Sequence, residues 1–460
     1  MSNKKYSLKV KQYNPQLDFW TGYLTVVLIL VYIILFGVKF TGGFVLTDFT
    51  ASYMIIILPI WIIDGFKSFV ESFSKRQYFK SKEDLTKVTV VIACKDGEEV
   101  ITNTLKSLLI RFKPQQIIVA SNGSTDGTCQ ISRGYHVRVF DYKQALGKVR
   151  AINEALKYVD TPYVLLLDDD TLVEKAVIPT GLLDDGYDGV AFRVLVKTST
   201  WITRVQYYEY LKSTDLGKRF HNGKASVTNI SGAIGLFNVK HLKRQIKKHS
   251  GEFSGEDLQR TLLMHLSQDS KGVVLTDSTV YTQPPATLLD LYKQRSFGWF
   301  PGIYANLGKY FKILTRDKMA LALRIDAFYN IFFVFLIDFI RLLSLPILIF
   351  YPWYFIIMYI AYVLLEFVTY LKSKSTTPLW TVFIYPFYGI FGFITRICAL
   401  TTFLYRRIAI KISDIEFIDD YRRVAKKQKF LSVFIASLVL AIFLILNIKF
   451  YFIKPILNIG

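Results

Sequence analysis

Cysteine is scarce: three residues, Cys94, Cys129 and Cys398, lie far apart in 460 and show no metal-type spacing. That excludes a disulfide framework and a cysteine-held zinc centre. Acidic charge is also in short supply, with 36 Asp and Glu against 57 Lys and Arg and a formal charge of +21. Such an excess could serve nucleic acid, but the basic residues gather at the ends of apolar runs instead of forming one continuous face. Nucleic-acid binding is therefore not expected, and attraction to anionic membrane lipid is. No small-residue cleavage site follows the first apolar run, so that run is expected to be retained as a span rather than removed as a signal peptide. Nothing in the chain calls for an obligatory protein partner.

What is abundant is apolar surface. Hydrophobic residues make up 52% and aromatics 16%, too much for an ordinary soluble enzyme. The apolar runs sit at both ends, and residues 75–318 between them carry charge and glycine at soluble-protein density. One cytoplasmic domain between two membrane regions is expected, with interfacial helices near 201–220 and 287–310. In the N-terminal region, 1–74, residues 20–38 and 45–63 are long enough to cross a bilayer. Their flanks are basic, with Lys4, Lys5, Lys9 and Lys11 before and Lys75, Arg76, Lys80, Lys82 and Lys87 after, so both flanks belong on the cytoplasmic side. In the C-terminal region, 319–460, residues 325–345, 347–371 and 430–448 read as spans. Residues 379–405 are apolar too, but eight basic residues follow at 406–429, and Pro386, Gly389, Gly392 and Arg396 interrupt the run. That segment is expected to be interfacial or re-entrant, leaving the C-terminus outside. Asp338 and Arg341, three apart on one helix face, read either as a structural ion pair or as the lining of a polar conduit.

Within the soluble stretch, residues 88–92 form a β-branched strand leading into ACKDGEE at 93–99. Helical apolar spacing follows at 101–111, and a second strand at 117–120 ends in SNGSTDGT at 121–128. Strand, polar turn, helix, strand is a nucleotide-binding βαβ pattern in a Rossmann-like, mostly parallel sheet. Asp96 and the turn starting at Asn122 then lie at strand carboxyl ends, where a base and ribose can be held. Neither turn is a glycine-rich phosphate loop. GKVRAINEAL at 147–156 opens a helix with Lys148 and Arg150, cations that oppose the helix dipole unless an anion is present. A strand at 163–167 then delivers LLLDDDT at 165–171. Asp168 and Asp170 share one side of the extended segment, and Asp169 points to the other, contributing structure or a supporting hydrogen bond. Hard oxygen ligands of this kind suit Mg²⁺ or Mn²⁺ on a diphosphate, and the competing reading is a solvated acidic turn.

These segments, followed by SGAIGLF at 231–237 and GED at 255–257, occur in an order that resembles the inverting, nucleotide-sugar-dependent glycosyltransferases of family 2. With spans on both sides, the chain resembles their processive membrane synthases of hyaluronan, chitin and cellulose. The run YPFYGIFGFITRICALTTF at 385–403 is similar to a membrane-associated segment of bacterial hyaluronan synthases. The resemblance implies a GT-A-type α/β domain that transfers sugars from UDP-sugars to a nascent polysaccharide. It assigns Ala93, Lys95, Asp96, Glu98, Asn122, Lys148, Arg150 and Asp169 to the donor site, and Asp168 and Asp170 to Mg²⁺ or Mn²⁺. Asp257 becomes the general base, with Ser231, Gly232, Ala233 and Glu256 around the acceptor. Two positions depart from the pattern. Asn122 stands where aspartate is common, and QRSFGW at 294–299 has one residue more between Gln294 and Trp299 than the family's QxxRW. Trp299 is expected to stack on an acceptor sugar, and Arg295 to take over the diphosphate contact. Two other readings compete: a non-processive transferase acting on a polyprenyl or dolichyl phosphate, and a membrane scaffold whose domain has lost catalysis.

Overall fold

A computed structural model describes residues 47–73, 78–249, 255–317, 319–342, 344 and 352–412. The expected spans at 20–38 and 430–448 lie outside the described residues. At the centre is a seven-stranded sheet formed by β1 (Val88–Cys94), β2 (Ile117–Ser121), β3 (Arg138–Asp141), β4 (Tyr163–Asp168), β5 (Gly189–Val196), β6 (Ile234–Asn238) and β7 (Val273–Thr282), in the order β3-β2-β1-β4-β6-β5-β7. The sheet is mostly parallel, and β6 alone among these strands runs antiparallel to both its neighbours.

β1 reads VTVVIAC and is buried on both faces, as expected for a central parallel strand. Val88, Val90, Ile92 and Cys94 pack on one side with Ile101, Leu105 and Leu108 of the helix Glu98–Leu109. Val91 packs on the other with Ala151, Ile152 and Ala155 of the helix Lys148–Leu156. The same alternation divides Leu165 and Leu167 from Val164 and Leu166 in β4. Two helical layers therefore cover the sheet, and the parallel strands β1, β2 and β4 end at one edge. There Ala93 lies in register with both Ala120 and Asp168.

Glycine matters most in β6. A Cβ on Gly235 would come within 2.5 Å of Ile230 Cγ2 and 2.6 Å of the Phe237 ring, so only glycine lets this strand pass.

The helix Thr47–Ser72, which contains most of the expected span at 45–63, packs on the helix Pro352–Ser373, with Gly65 seated against the Tyr362 ring. Residues 379–405, expected to be interfacial or re-entrant, are helical almost throughout. Nearly all of them belong to one continuous helix, Trp380–Ile412, that carries Pro386 within it. Trp353–Ser373 and Trp380–Leu404 are both long and apolar enough to cross a membrane. The basic residues that argued against a crossing begin near the end of that helix at Arg406, and Pro386, past its first turn, removes one interior N–H donor from it.

Arg396, read from sequence as an interruption, is instead paid for by a buried cluster. Arg341 donates to Asp338 (2.9 Å), Asp64 (3.0 Å) and the Ile60 carbonyl, and Arg396 donates to Asp338 as well. The domain is tied to this bundle by a second buried contact: Tyr208 donates to Glu366 at 2.9 Å, and the same carboxylate pairs with Lys212.

Candidate active site

β4 ends on Asp168, whose carboxylate accepts from Lys148 Nζ at 2.7 Å. Lys148 opens its helix after Gly147, which takes a left-handed φ of 84°. Its ammonium is shared with Glu256, also at 2.7 Å. Glu256 and Asp257 begin the helix Glu256–His265 behind Gly255, itself at φ 93°, so both carboxylates sit at a positive helix end. Asp257 Oδ2 accepts from the Gly232 N–H at 3.0 Å and from Asn229 Nδ2 at 3.3 Å. Gly232 is the meeting point. A Cβ there would lie 3.6 Å from Asp168 Oδ2, 3.6 Å from Lys148 Nζ and 3.7 Å from Asp257 Oδ2. Ser231 and Ala233 flank it, and the Ala233 carbonyl accepts from the Asp168 N–H.

Burial dominates the electrostatics. It pushes the Asp168 carboxyl up to about 6 against the pull of Lys148. It raises Asp169 and Asp170 as well. For Glu256 burial also acts upward, but Lys148 and Arg260 together hold it below the usual carboxylate range. Burial lowers the Lys148 ammonium, and Asp168 and Glu256 more than reverse that.

The three adjacent aspartates part company. Asp170 accepts from the Thr282 hydroxyl at the end of β7, at 2.9 Å. Asp169 turns beneath the β1 turn, where the Cys94 thiol donates to it at 2.8 Å and its carbonyl accepts from Thr104. Gly97 leaves room for that pair, because a Cβ would come within 2.5 Å of Asp169 Oδ2.

Other donor-site expectations meet a different geometry. Asp96, at φ 51°, accepts from the Thr125 N–H, and Glu98 accepts from the Gly127 N–H, so both side chains lock the first turn to the second. Asn122 Oδ1 accepts from the N–H groups of Leu146 and Gly147, fixing the approach to Lys148. Lys95 and Arg150 are exposed. Arg150 follows Lys148 by two positions and so faces another side of the helix. These two cations do not join the cluster. Ala93 holds its place at the end of β1.

Arg295 also departs from expectation. It is 5% exposed, donates to Glu209 at 2.6 Å and lies 3.9 Å from the Trp299 ring centre, so in this structure it anchors the ring. The extra residue in QRSFGW is absorbed by π-helical winding over Gln294–Trp299. Glu209 also accepts from Tyr388 at 2.7 Å, linking this anchor to the helix Trp380–Ile412. Replacing Arg295 with Met leaves the partly exposed Glu209 with its Tyr388 contact, frees the Trp299 ring and is expected to cost about 1 to 2 kcal/mol. Thermal unfolding of the detergent-solubilised protein measures this, and adding Glu209→Gln should return part of the loss.

Two residues of the region carried no sequence signal. Tyr210, on the helix Trp201–Lys212, stands 6.2 Å from Trp299, and the charges of Asp170 and Asp257 both act on it. Lys218 ends the π-helical segment Ser213–Lys218 and feels the charge of Asp257.

The family model for glycosyl transferase family 2 matches residues 89–244. The chain is 24% identical over 263 residues to a poly-beta-1,6-N-acetyl-D-glucosamine synthase of Staphylococcus epidermidis, covering 54% of this chain and 63% of that one. It is 27% identical over 165 residues to the protein of that name in Staphylococcus aureus, covering 34% and 40%. The chain thus spans less than two thirds of the length of these relatives. Among solved structures it is similar to a mannosyltransferase from Pyrobaculum calidifontis in complex with GDP-Man and Mn²⁺, at a TM-score of 0.49 and 12% identity, covering 76% of this chain and 98% of that one. Asp257 and Trp299 lie beyond the matched segment. Lys148, Asp168, Asp170 and Gly232 lie inside it, so residues 89–244, which carry most of the donor-side cluster, are similar to glycosyl transferase family 2.

Proposed function

We propose that the chain is a processive synthase that polymerises a β-linked polysaccharide from UDP-sugars, with inversion, and passes the product through its own membrane helices. The observation that carries this reading is the convergence of Asp168, Lys148 and Asp257 on Gly232, a position without a side chain. A sugar seated there has a cation and a carboxylate on the diphosphate side and an available base on the acceptor side. Asp257 takes the proton of the acceptor hydroxyl as that oxygen attacks the anomeric carbon, and UDP departs on the opposite face. Gly232 and Asn229 hold the base in place through their N–H groups. Glu256 fixes Lys148 from behind.

Asp168 and Asp170 suit a divalent cation, Mg²⁺ or Mn²⁺. Both are half-buried carboxylates raised by desolvation, and a cation would relieve that cost. Among the described residues no cluster of three metal-ligating side chains occurs, so diphosphate and water would complete the coordination, as hard cations allow. When bound, the cation supplies electrostatic stabilisation of the charge that develops on the departing UDP.

The names of the relatives favour N-acetylglucosamine as the donor sugar over the alternating pair that hyaluronan requires. UDP-GlcNAc, UDP-GlcA and UDP-Glc, supplied singly and in pairs with Mn²⁺ to the purified chain, test this. UDP-GlcNAc alone is expected to release UDP and build a long polymer. A requirement for UDP-GlcA beside it would return the hyaluronan-like reading. Single-sugar products on polyprenyl phosphate would end the polymerase reading altogether.

A further inference from the structure

The Asp257 carboxylate accepts from the Gly232 N–H and Asn229 Nδ2 on Oδ2, and from the Leu258 N–H on Oδ1. Oδ2 is the oxygen that lies 3.7 Å from the place a Cβ would take on Gly232, so it faces the seat proposed for the sugar. As an anion it is well served by donors. Once it has taken the proton of an acceptor hydroxyl, its own O–H needs an acceptor, and the backbone N–H of Gly232 cannot become one. A side-chain amide can, by half a turn about its Cβ–Cγ bond, which exchanges nitrogen and oxygen in nearly the same volume.

The oxygen for that exchange is already there. Asn229 Oδ1 is buried and accepts from no donor among the described residues, a costly state for a polar atom. The half-turn would leave the NH₂ unmet in place of the oxygen, so it trades one unpaired end for the other and the charge on Asp257 decides between them. The backbone on either side stays fixed. The Ile230 N–H donates to the Thr261 hydroxyl at 3.0 Å, and that hydroxyl donates to the Asp257 carbonyl at 2.8 Å, while the Gly232 N–H holds the carboxylate itself at 3.0 Å. The amide can therefore turn without moving the loop.

We propose that Asn229 is a positioning residue that acts through Asp257, donating to the ionised base before transfer and accepting from its O–H afterwards. The inference rests on the reading of Asp257 as the base. In the transfer the O–H bond of the acceptor breaks as its oxygen bonds to the anomeric carbon, and the bond from that carbon to UDP breaks with its electron pair on UDP. The proton goes to Asp257 Oδ2. Asn229 gains and loses no proton; it turns to meet the new O–H, and turns back when the acid returns its proton to water.

Asn229→Leu keeps the shape and removes both donor and acceptor. In the full-length chain it is expected to lower kcat for UDP release from UDP-GlcNAc by about 10- to 100-fold, the effect of one buried hydrogen bond left unmade, with KM little changed. The solvent deuterium isotope effect on kcat should rise, because proton transfer itself becomes the slow step. Asn229→Ser, whose hydroxyl donates and accepts and leaves room for a water that does both, should recover part of the loss and guards against a folding artefact. In an Asp257→Asn background, Asn229→Leu should add little, as expected of two residues that act as a unit. An unchanged kcat or isotope effect in Asn229→Leu, Asn229→Ser no better than Asn229→Leu, or losses that multiply with Asp257→Asn would each overturn the proposal and leave Asp257 standing as the base. Parental release in Asp257→Asn alone would instead remove the base, and this role of Asn229 with it.

Discussion

Asp257→Asn is expected to lower UDP release by about 10²- to 10⁴-fold, the range of a lost general base, while the affinity for UDP stays within a few-fold. The asymmetry follows from what the carboxylate touches. Its Oδ2 accepts from Gly232 and Asn229, contacts that an amide oxygen can also accept, so the loop at 229–232 keeps its seat. An amide cannot take a proton from an acceptor hydroxyl. Lys148, Asp168 and Glu256, on the donor side, keep their contacts with one another. Single-turnover UDP release against calorimetric UDP binding separates the two effects. Release at the parental rate would remove Asp257 as the base, and loss of UDP binding as well would mean that the substitution had disturbed the fold. Abolished release in a folded protein would exclude a domain kept only as a scaffold.

The second large effect distinguishes neighbours. Asp170→Asn is expected to reduce cation-dependent UDP release by about 10³-fold, because on the proposed reading it removes one of two anionic oxygen ligands from a half-buried site. Asp169→Asn should cost about tenfold or less, as is usual for a supporting contact. The geometry explains the gap. Asp170 faces the end of β7 and accepts from Thr282, whereas Asp169 faces Cys94 beneath the β1 turn, and an amide can still accept from that thiol. A Mn²⁺ titration of UDP release measures both variants. Equal losses would mean that the pair holding the cation has been misassigned.

How much of this was legible in the sequence depended on the kind of signal. β1 and β4 are buried on both faces and read as unbroken apolar runs, so their places, and the delivery of the aspartates to the sheet edge, followed from composition. The split of Asp169 from its neighbours followed from the alternation of an extended chain. β3 has four half-buried residues and no comparable run. The second role of the turns was not legible, because Asp96, Glu98 and Asn122 are consumed by backbone N–H groups that only the folded loops bring near them. Arg295 misled for a related reason. Spacing showed that QRSFGW carries one residue too many, but only the π-helical winding shows where the extra residue goes and turns the guanidinium to Glu209 and Trp299. Tyr210 sits in no motif, and its place beside Trp299 is purely tertiary. The neutralisation of Arg341 by Asp64 and of Arg396 by Asp338 was not legible either, because it joins residues far apart in the sequence.

That neutralisation sets an order of events during synthesis. Asp64 lies 277 positions before Arg341, and Asp338 lies 58 before Arg396, so the carboxylate near the N-terminus has no cationic partner in the cluster until the chain is three quarters made. While the catalytic domain is being translated, the helix Thr47–Ser72 carries an uncompensated charge on the face it will later bury. The cluster therefore cannot close until Arg396 has been made, long after the helix that carries Asp64.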